Sequence, residues 1–267
     1  MIFFYMSFNI IVAVDEDNGI GKNNMIPWRC KEDMLYFKKI TSEVKNEKKK
    51  NVIIMGRKTY ESLPKRPLPN RINIILSKSK SQIDYKEDVI VYNNFDDILD
   101  DYYQKNKKHI ENIWVIGGSE IYNIALKHPM CRDIHITYIK GRYGCDKQLN
   151  KIDSEEYKLI KVECLKEDKA YLKVYRTRNK EEEQYLNLLN RTLKEGIKKE
   201  DRTGVGTHSI FGGYLRFNIR DRFPMLTTKR IYIRGIYEEL MWILRGETDS
   251  KILAKKRVHI WDGNTTR

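Results

Sequence analysis

The residue best placed to do chemistry in this sequence is Asp33. It follows the Pro27-Trp28 pair by five residues and lies in a stretch, 31–42, whose residue order favours a helix. On that helix it shares a face with Phe37. An acid among apolar neighbours can stabilise the first helical turn, where a carboxylate favours the helix dipole. Alternatively, it can bind a cationic or amidine-like ligand that packs on an aromatic side chain. The spacing alone favours the first of these.

Several further elements can position this aspartate. A strand is predicted at 8–14, and it ends in a glycine-broken loop at 18–28 that leads towards the helix. Further strands are predicted at 51–55, 72–76, 113–116, 134–137 and 170–177. The pair Gly117-Gly118 stands between a strand and the helix-like run 119–127, where unobstructed amides at a helix N-terminus can bind an anion.

The first 178 residues resemble the dihydrofolate reductase family throughout, in the right order. The matching pieces are Ile11-Val12-Ala13-Val14, the loop GIGKNNMIPW, Asp33 with Phe37, Met55-Gly56-Arg57-Lys58-Thr59, Glu61-Ser62-Leu63-Pro64, Pro67-Leu68-Pro69-Asn70-Arg71, Ile75-Leu76-Ser77-Lys78, Val115-Ile116-Gly117-Gly118-Ser119-Glu120-Ile121-Tyr122 and Thr137. The resemblance implies an α/β domain at 1–179, with a twisted mixed sheet flanked by helices. It also implies NADPH-dependent reduction of 7,8-dihydrofolate to tetrahydrofolate, a step of one-carbon metabolism and dTMP synthesis, without a metal.

The same resemblance assigns roles to individual residues. The catalytic residues would be Asp33, Thr137, Trp28 and Ile26. The folate would contact Ala13, Phe37, Leu63, Leu68, Arg71, Ile116 and Tyr122. The cofactor would contact Ala13, Ile20, Gly21, Gly56, Arg57, Lys58, Thr59, Leu76, Ser77, Lys78, Gly117, Gly118 and Ser119. Cations among these argue for NADP over NAD, and Arg71 would hold the folate α-carboxylate because a guanidinium matches a carboxylate bidentately.

Simpler interpretations stand beside these assignments. Without the resemblance, Thr137 is an ordinary β-branched strand residue, Arg71 a surface arginine and Gly117-Gly118 a plain turn. The sequence Gly19-Ile20-Gly21 lacks the third glycine of a Rossmann fingerprint and leads into a loop, so it does not support that fold. In the family this loop is a lid over the nicotinamide. The segment 147–150, Lys-Gln-Leu-Asn, replaces the family's usual aromatic-proline pair.

Residues 180–267 resemble the amino-terminal third of the thymidylate synthase family, an incomplete α+β segment. The matching pieces are Gln184-Tyr185-Leu186, Asp201-Arg202-Thr203-Gly204-Val205-Gly206, the run 223–230, the run 238–246 and the run 260–264. The resemblance gives Arg202 to the dUMP phosphate, Lys229 to the folate tail, Glu239 to the hydrogen bonds around the pyrimidine, and Trp261 with Asn264 to the ligand site. Alternatively, Arg202 closes a turn and Glu239 is a surface acid.

The order of reductase and synthase resembles the bifunctional protein of protozoa and plants. No cysteine occurs after Cys164, so no thiolate is available to attack dUMP, and thymidylate synthase activity is not expected from this chain alone. The expected partners are small-molecule substrates, together with a second copy of the chain or a separate synthase fragment. A truncated or split gene product, a fragment, and a degenerate tail kept for dimerisation are the competing explanations.

Composition bounds the remaining possibilities. The chain has 267 residues, 40% of them hydrophobic, which is enough to bury a core. Its net charge of +14 suits anionic small molecules, and because no nucleic-acid module pattern accompanies the charge, nucleic acid is not an expected partner. The four cysteines have no metal-ligand spacing, and no segment is long enough to span a membrane, so a cytoplasmic location is expected.

Overall fold

The computed structural model describes residues 7–78, 89–102, 107–200, 204–219 and 231–265, together with Pro224, Leu226 and Thr228. The chain divides into two compact units, Met1–Arg178 and Asn179–Arg267. Each unit has its own secondary structure, and the two are described separately below.

The first unit is built on strands connected by helices. Its strands are β1 (Phe8–Val14), β2 (Gly19–Gly21), β3 (Lys50–Gly56), β4 (Arg71–Leu76), β5 (Val89–Tyr92), β6 (Ile110–Val115), β7 (Cys131–Ile139), β8 (Lys147–Gln148), β9 (Tyr157–Lys166) and β10 (Ala170–Thr177). Its helices are α1 (Lys31–Ser42), α2 (Arg57–Ser62), α3 (Phe95–Asp100) and α4 (Ser119–Lys127), with a short 3-10 helix at Lys107–His109. The predicted helix at 31–42 and the predicted strands are confirmed.

Eight of these strands form one mixed sheet in the order β5-β4-β3-β6-β1-β7-β10-β9. The strands from β5 to β7 pair in parallel, whereas β10 runs antiparallel to both β7 and β9. This is the α/β architecture that the sequence predicts. Because β4, β3, β6 and β1 are parallel neighbours, the residues that follow them meet at one edge of the sheet, where ligands bind in open α/β sheets.

Apolar side chains cover both faces of the central strands. On β1 and β3 they alternate between two buried clusters: Ile10 and Ile54 belong to the larger one, whereas Ile11 and Ile53 belong to the other. The larger cluster is completed by α3 and α4, and the second cluster packs against residues of α1 and α2. Each fully buried isoleucine stabilises the fold by about 1.5–3 kcal/mol, so the sheet is a rigid base for the loops at its edge.

The loop after β1 is more ordered than the sequence predicts. Residues Gly19–Gly21 form β2, which pairs antiparallel with β8 (Lys147–Gln148). The backbone N–H of Leu149 also donates to the Asn18 carbonyl at 2.9 Å, and the Leu149 side chain is buried. The Lys-Gln-Leu-Asn segment at 147–150, which departs from the family pattern, therefore supplies both backbone pairing and an apolar anchor for this loop.

The second unit begins with the helix α5. Its elements are α5 (Lys180–Glu195), β11 (Ile197–Lys199), β12 (Thr207–Ser209), α6 (Ile233–Leu244), α7 (Lys251–Lys255) and α8 (Asp262–Thr265). The helix α6 begins at Ile233, and β11 pairs antiparallel with β12 as a short hairpin. Along α6, Ile236, Leu240 and Leu244 remain exposed.

Candidate functional site

Asp33 lies in the first turn of α1, where a carboxylate favours the helix dipole. Its carboxylate also accepts a hydrogen bond from the Thr137 hydroxyl on β7. Burial raises the pKa of Asp33, and the hydrogen bond from Thr137 opposes this rise. Thr137 itself is almost completely buried. The structure therefore holds a half-buried carboxylate that can accept hydrogen bonds from a ligand.

An apolar wall adjoins this carboxylate. Phe37, Leu63 and Leu68 pack against the second cluster, and Ile116 belongs to it. These four predicted substrate contacts, drawn from three loops and one helix, therefore converge on one face of the sheet. Tyr122 is buried near Asp33, whose charge adds to burial in raising the tyrosine pKa, and its hydroxyl donates to the Ile11 carbonyl at 2.8 Å.

Arg71 is held by a network of buried polar groups rather than lying on the surface. Its Nη1 donates to the Thr41 Oγ1 at 2.7 Å, and its Nε donates to the Pro69 carbonyl at 3.1 Å. Asn73 pairs with the backbone N–H and C=O of Leu68, both at 2.9 Å, which fixes the turn before β4. Burial lowers the pKa of Arg71, and a guanidinium stays charged under such conditions. A cation oriented in this way can bind a carboxylate.

The Gly117-Gly118 pair lies between β6 and the start of α4. Gly117 has a φ of 113°, which strains other residues, and a Cβ there would lie 3.0 Å from the Tyr122 ring. The backbone N–H of Gly56 donates to the Gly117 carbonyl at 2.7 Å, so this turn is joined to the end of β3. Ser119, the first residue of α4, is half-buried. The turn thus leads directly into a helix N-terminus, which suits an anion.

Cationic and hydroxyl side chains follow β3 and β4 at the same edge of the sheet. The two strands are in parallel register, with Gly56 opposite the half-buried Leu76. Arg57, Lys58 and Thr59 follow the first strand, and Ser77 and Lys78 follow the second. Lys58 and Lys78 are exposed, whereas Arg57 Nη1 lies 2.9 Å from Glu61 Oε1. Together with the glycine turn after β6, three neighbouring strands end in groups suited to phosphate.

The predicted residues of the β1–α1 segment take different environments. Trp28 is buried and packs with Tyr143 at a ring-centroid distance of 5.3 Å. It belongs to a third, smaller apolar cluster, against which Ala13 also packs. Ile20 packs against the larger cluster, and the Gly21 carbonyl accepts from the backbone N–H of Asp146 at 3.0 Å. Ile26, by contrast, is 58% exposed. The tip of the loop therefore presents an uncovered apolar side chain.

Asp15 is a functional candidate that the sequence analysis missed. Its Oδ1 accepts from the backbone N–H of Gly19 at 2.7 Å and of Asp17 at 3.0 Å, and its Oδ2 accepts from the Tyr143 N–H at 3.1 Å. Burial raises the pKa of Asp15, but these backbone donors outweigh that effect and lower the pKa overall. A Cβ at Gly19 would lie 2.4 Å from the Cys145 Cβ, so only glycine allows this close approach. Asp15 therefore ties the root of the loop to the segment after β7.

We expect Asp15→Asn to destabilise the protein by about 1–3 kcal/mol, because one of the two accepting oxygens becomes an NH2 donor and the backbone N–H facing it loses its acceptor. The carboxylate of Asp15 stabilises the fold above the unfolded pKa of 3.8 and loses this effect as the pH falls below that value. Urea denaturation at pH 7 measures the change.

Asp17→Asn is the matched control for that substitution. Asp17 lies in the same loop, but its side chain is 51% exposed and its Oδ1 is 3.5 Å from Arg142 Nε, so its loss should change little. The Cys145 thiol, 3.5 Å from Asp15 Oδ2, provides a second readout. Its alkylation should be faster in Asp15→Asn than in Asp17→Asn, and equal rates would contradict the role given to Asp15.

The second unit brings together two of the residues assigned to the synthase segment. Trp261 Nε1 donates to Glu239 Oε1 at 2.9 Å. Arg202 and Lys229 lie outside the described residues, and for Asn264 only the backbone, within α8, is described. In the described part of the chain, no cluster of three or more metal-ligating side chains occurs. Likewise, none of the described helices combines the length and apolar character that crossing a bilayer requires.

Comparison with known proteins also divides the chain into two parts, near the boundary between the two compact units. The dihydrofolate reductase family profile matches residues 7–181, and the thymidylate synthase profile matches residues 183–266. A bifunctional dihydrofolate reductase-thymidylate synthase of Paramecium tetraurelia is 38% identical, over 98% of this chain and 56% of the relative. The corresponding proteins of Leishmania major and Arabidopsis thaliana are 38% and 35% identical, over 57% and 54% of their length. The chain thus spans somewhat more than half the length of these relatives.

Proposed function

The chain belongs to the dihydrofolate reductase family, and we propose from this premise that its first unit reduces 7,8-dihydrofolate to tetrahydrofolate with NADPH. The observation that carries the proposal is the half-buried Asp33 carboxylate, bonded to Thr137 and placed beside the apolar wall of Phe37, Leu63, Leu68 and Ile116. A flat heterocycle with an amidine-like edge fits such a site, because the wall takes its faces and the carboxylate takes its edge.

Asp33 would accept two charge-assisted hydrogen bonds, from a ring nitrogen and the exocyclic amine of the pterin. These hydrogen bonds orient the pterin and favour its protonation nearby, whether or not Asp33 itself passes the proton. Thr137 would hold the carboxylate in place. Trp28 and Ile26 would exclude water when the loop closes, and Arg71 would hold the folate α-carboxylate.

NADPH supplies the hydride when bound. The residues that would hold it fit the group, because the Gly117-Gly118 turn leads into the N-terminus of α4 and because cations and hydroxyls follow the neighbouring strands β3 and β4. The nicotinamide end would contact Ala13, Ile20 and Gly21, and the phosphates would contact Gly56, Gly117, Gly118 and Ser119. The adenosine 2′-phosphate would lie among Arg57, Lys58, Thr59, Leu76, Ser77 and Lys78, since cations and hydroxyls follow two adjacent strands there.

Residues 1–179 would form this reductase domain, and residues 180–267 would contribute part of a synthase site in dTMP synthesis. The 2.9 Å hydrogen bond from Trp261 to Glu239 supports the second role. Since the last cysteine of the sequence is Cys164, these residues can contribute binding groups but no thiolate nucleophile. A second copy or a separate synthase polypeptide would be the macromolecular partner. A cytoplasmic location, indicated by the cysteine usage, is part of the same proposal.

The direct test is the steady-state oxidation of NADPH by the purified chain in the presence of dihydrofolate. Oxidation that depends on dihydrofolate supports the proposal, and a folded chain that binds neither compound would overturn it. Incubation with dUMP and methylene-tetrahydrofolate tests the second unit, for which no thymidylate is expected from this chain alone.

We expect NADPH to be strongly preferred over NADH, and Lys78→Glu to reduce that preference by about tenfold or more, since a charge-assisted bond to phosphate contributes about 1.5–3 kcal/mol. The ratio of kcat/KM for the two cofactors measures the effect. Lys127→Glu, an exposed lysine at the opposite end of α4 from Ser119, is the control and should leave the ratio unchanged. Equal efficiency with NADH in the unmodified protein would refute the assignment of these cations.

A further inference from the structure

A second side-chain contact links the helix and the strand that carry Asp33 and Thr137. The Tyr36 hydroxyl on α1 lies 2.6 Å from His135 Nδ1 on β7, and the two rings stack with centroids 6.0 Å apart and planes inclined by 24°. These residues are 99 positions apart in the sequence. A hydrogen bond and a ring stack between the same two side chains restrict both the distance and the rotation of α1 relative to β7.

The position of this contact relates it directly to the carboxylate. Tyr36 follows Asp33 by three residues, so the two side chains lie on neighbouring positions of one helix face. His135 precedes Thr137 by two residues, so both point to the same face of β7. The Tyr36–His135 and Asp33–Thr137 contacts therefore run side by side, one helical turn apart, between the same two elements.

The surroundings keep both members of this pair uncharged at neutral pH. Burial raises the pKa of Tyr36 to about 12, with a smaller effect from the Glu163 charge. Burial also lowers the pKa of His135 to about 4; the Asp133 charge opposes this, whereas Lys161 and Arg176 add to it. Both side chains are therefore neutral at neutral pH, and Trp114 packs edge-on against the imidazole with centroids 5.0 Å apart.

We propose that Tyr36 and His135 are positioning residues for Asp33: their hydrogen bond sets the orientation of α1 against β7 at which the Thr137 hydroxyl reaches the carboxylate. The catalytic consequence rests on the proposed reductase function, but the structural consequence does not. Removing the Tyr36 hydroxyl leaves the stacked ring in place and removes the hydrogen-bond part of the restraint. The Asp33–Thr137 hydrogen bond should then lengthen, and the pterin should be held less accurately.

The first experiment needs no substrate. The Thr137 hydrogen bond lowers the pKa of Asp33 against the effect of burial, so loosening it in Tyr36→Phe should raise that pKa further. A carbon-13 NMR titration of the Asp33 carboxyl in the ligand-free protein measures the change. Tyr138→Phe, which removes a tyrosine hydroxyl from the opposite face of β7, is the matched control and should have no effect. His135→Phe removes the other partner of the same hydrogen bond and should give the same rise, so the test remains possible if one variant does not fold.

The second experiment is a double-mutant cycle on dihydrofolate reduction. Tyr36→Phe should lower kcat/KM for dihydrofolate by about three- to tenfold without changing the affinity for NADPH. In a Thr137→Val background the same substitution should have little further effect, because the bond it supports is already absent. Additive losses, or an unchanged Asp33 titration in both variants, would overturn the inference. Absence of reductase activity in the unmodified chain would instead refute the proposed function and leave the titration result standing.

Discussion

Replacing Asp33 by asparagine should lower kcat/KM for dihydrofolate by about two orders of magnitude while NADPH binding stays intact. Asparagine has nearly the same shape, but it exchanges one accepting oxygen for a donating amide and removes the charge. A buried charge-assisted hydrogen-bonded pair contributes on the order of 3 kcal/mol, which corresponds to that loss in rate. Steady-state kinetics with a separate measurement of NADPH affinity test the expectation.

The pH dependence separates this role from that of a helix-stabilising acid. Turnover by Asp33→Asn should recover partly at lower pH, where the substrate arrives already protonated. Glu32→Gln is the control: this neighbouring acid lies 3.2 Å from Lys166 Nζ, in a partly exposed pair whose loss should cost little. Near-normal turnover by Asp33→Asn at neutral pH would show that Asp33 only stabilises the start of α1.

The same substitution should not destabilise the protein. Burial raises the pKa of Asp33, although Thr137 opposes the rise. A carboxyl whose pKa is higher in the folded state stabilises the fold most below its unfolded pKa of 3.8, and this contribution is lost as the pH rises through the folded value. Asparagine carries no charge, so the variant should unfold at a temperature at least equal to that of the unmodified protein at neutral pH. A carboxylate retained at a cost in stability is expected at a functional site.

Local patterns in the sequence predict the elements of the first unit well. The helix at 31–42 and the strands at 8–14 and 170–177 have the predicted bounds because helical periodicity and apolar runs are properties of neighbouring residues. The same patterns carry no information about which distant segments meet. The pairing of β2 with β8, the Asp15 contact with Tyr143 at a separation of 128 residues, and the Tyr36–His135 contact were all missed for this reason.

The site residues show the same division between local and distant information. Spacing alone favoured a helix-stabilising role for Asp33, and Asp33 does lie in the first turn of α1. Its hydrogen bond with Thr137, more than a hundred positions later in the sequence, could not be predicted from spacing. The Asp-x-x-x-Gly spacing from Asp15 to Gly19 was the available local signal for the loop anchor. Recognising Asp15 as an anchor also required the Tyr143 N–H, which only the folded chain brings near.

Arg71→Gln should raise the KM for dihydrofolate by about ten- to a hundredfold with a much smaller change in kcat. The Arg71 guanidinium has five N–H donors, of which Nε and Nη1 are already directed at Pro69 and Thr41, so donors remain for a ligand carboxylate. A hydrogen bond to a charged group contributes about 1.5–3 kcal/mol, and this binding is made equally in the ground and transition states, so its loss appears in KM.

A dihydropterin substrate that lacks the benzoylglutamate tail distinguishes carboxylate binding from a general effect on the fold. If Arg71 acts on the tail, Arg71→Gln should reduce this truncated substrate as well as the unmodified protein does. Arg66→Gln is the matched control, because Arg66 is exposed and lies over the Tyr60 ring at 5.9 Å rather than in the buried network of Thr41 and Asn73. Equal losses for the two substrates would mean that Arg71 acts through the packing of α1 against β4, since its bond to Thr41 joins those elements. Retained activity on the truncated substrate alone would place the folate carboxylate at Arg71.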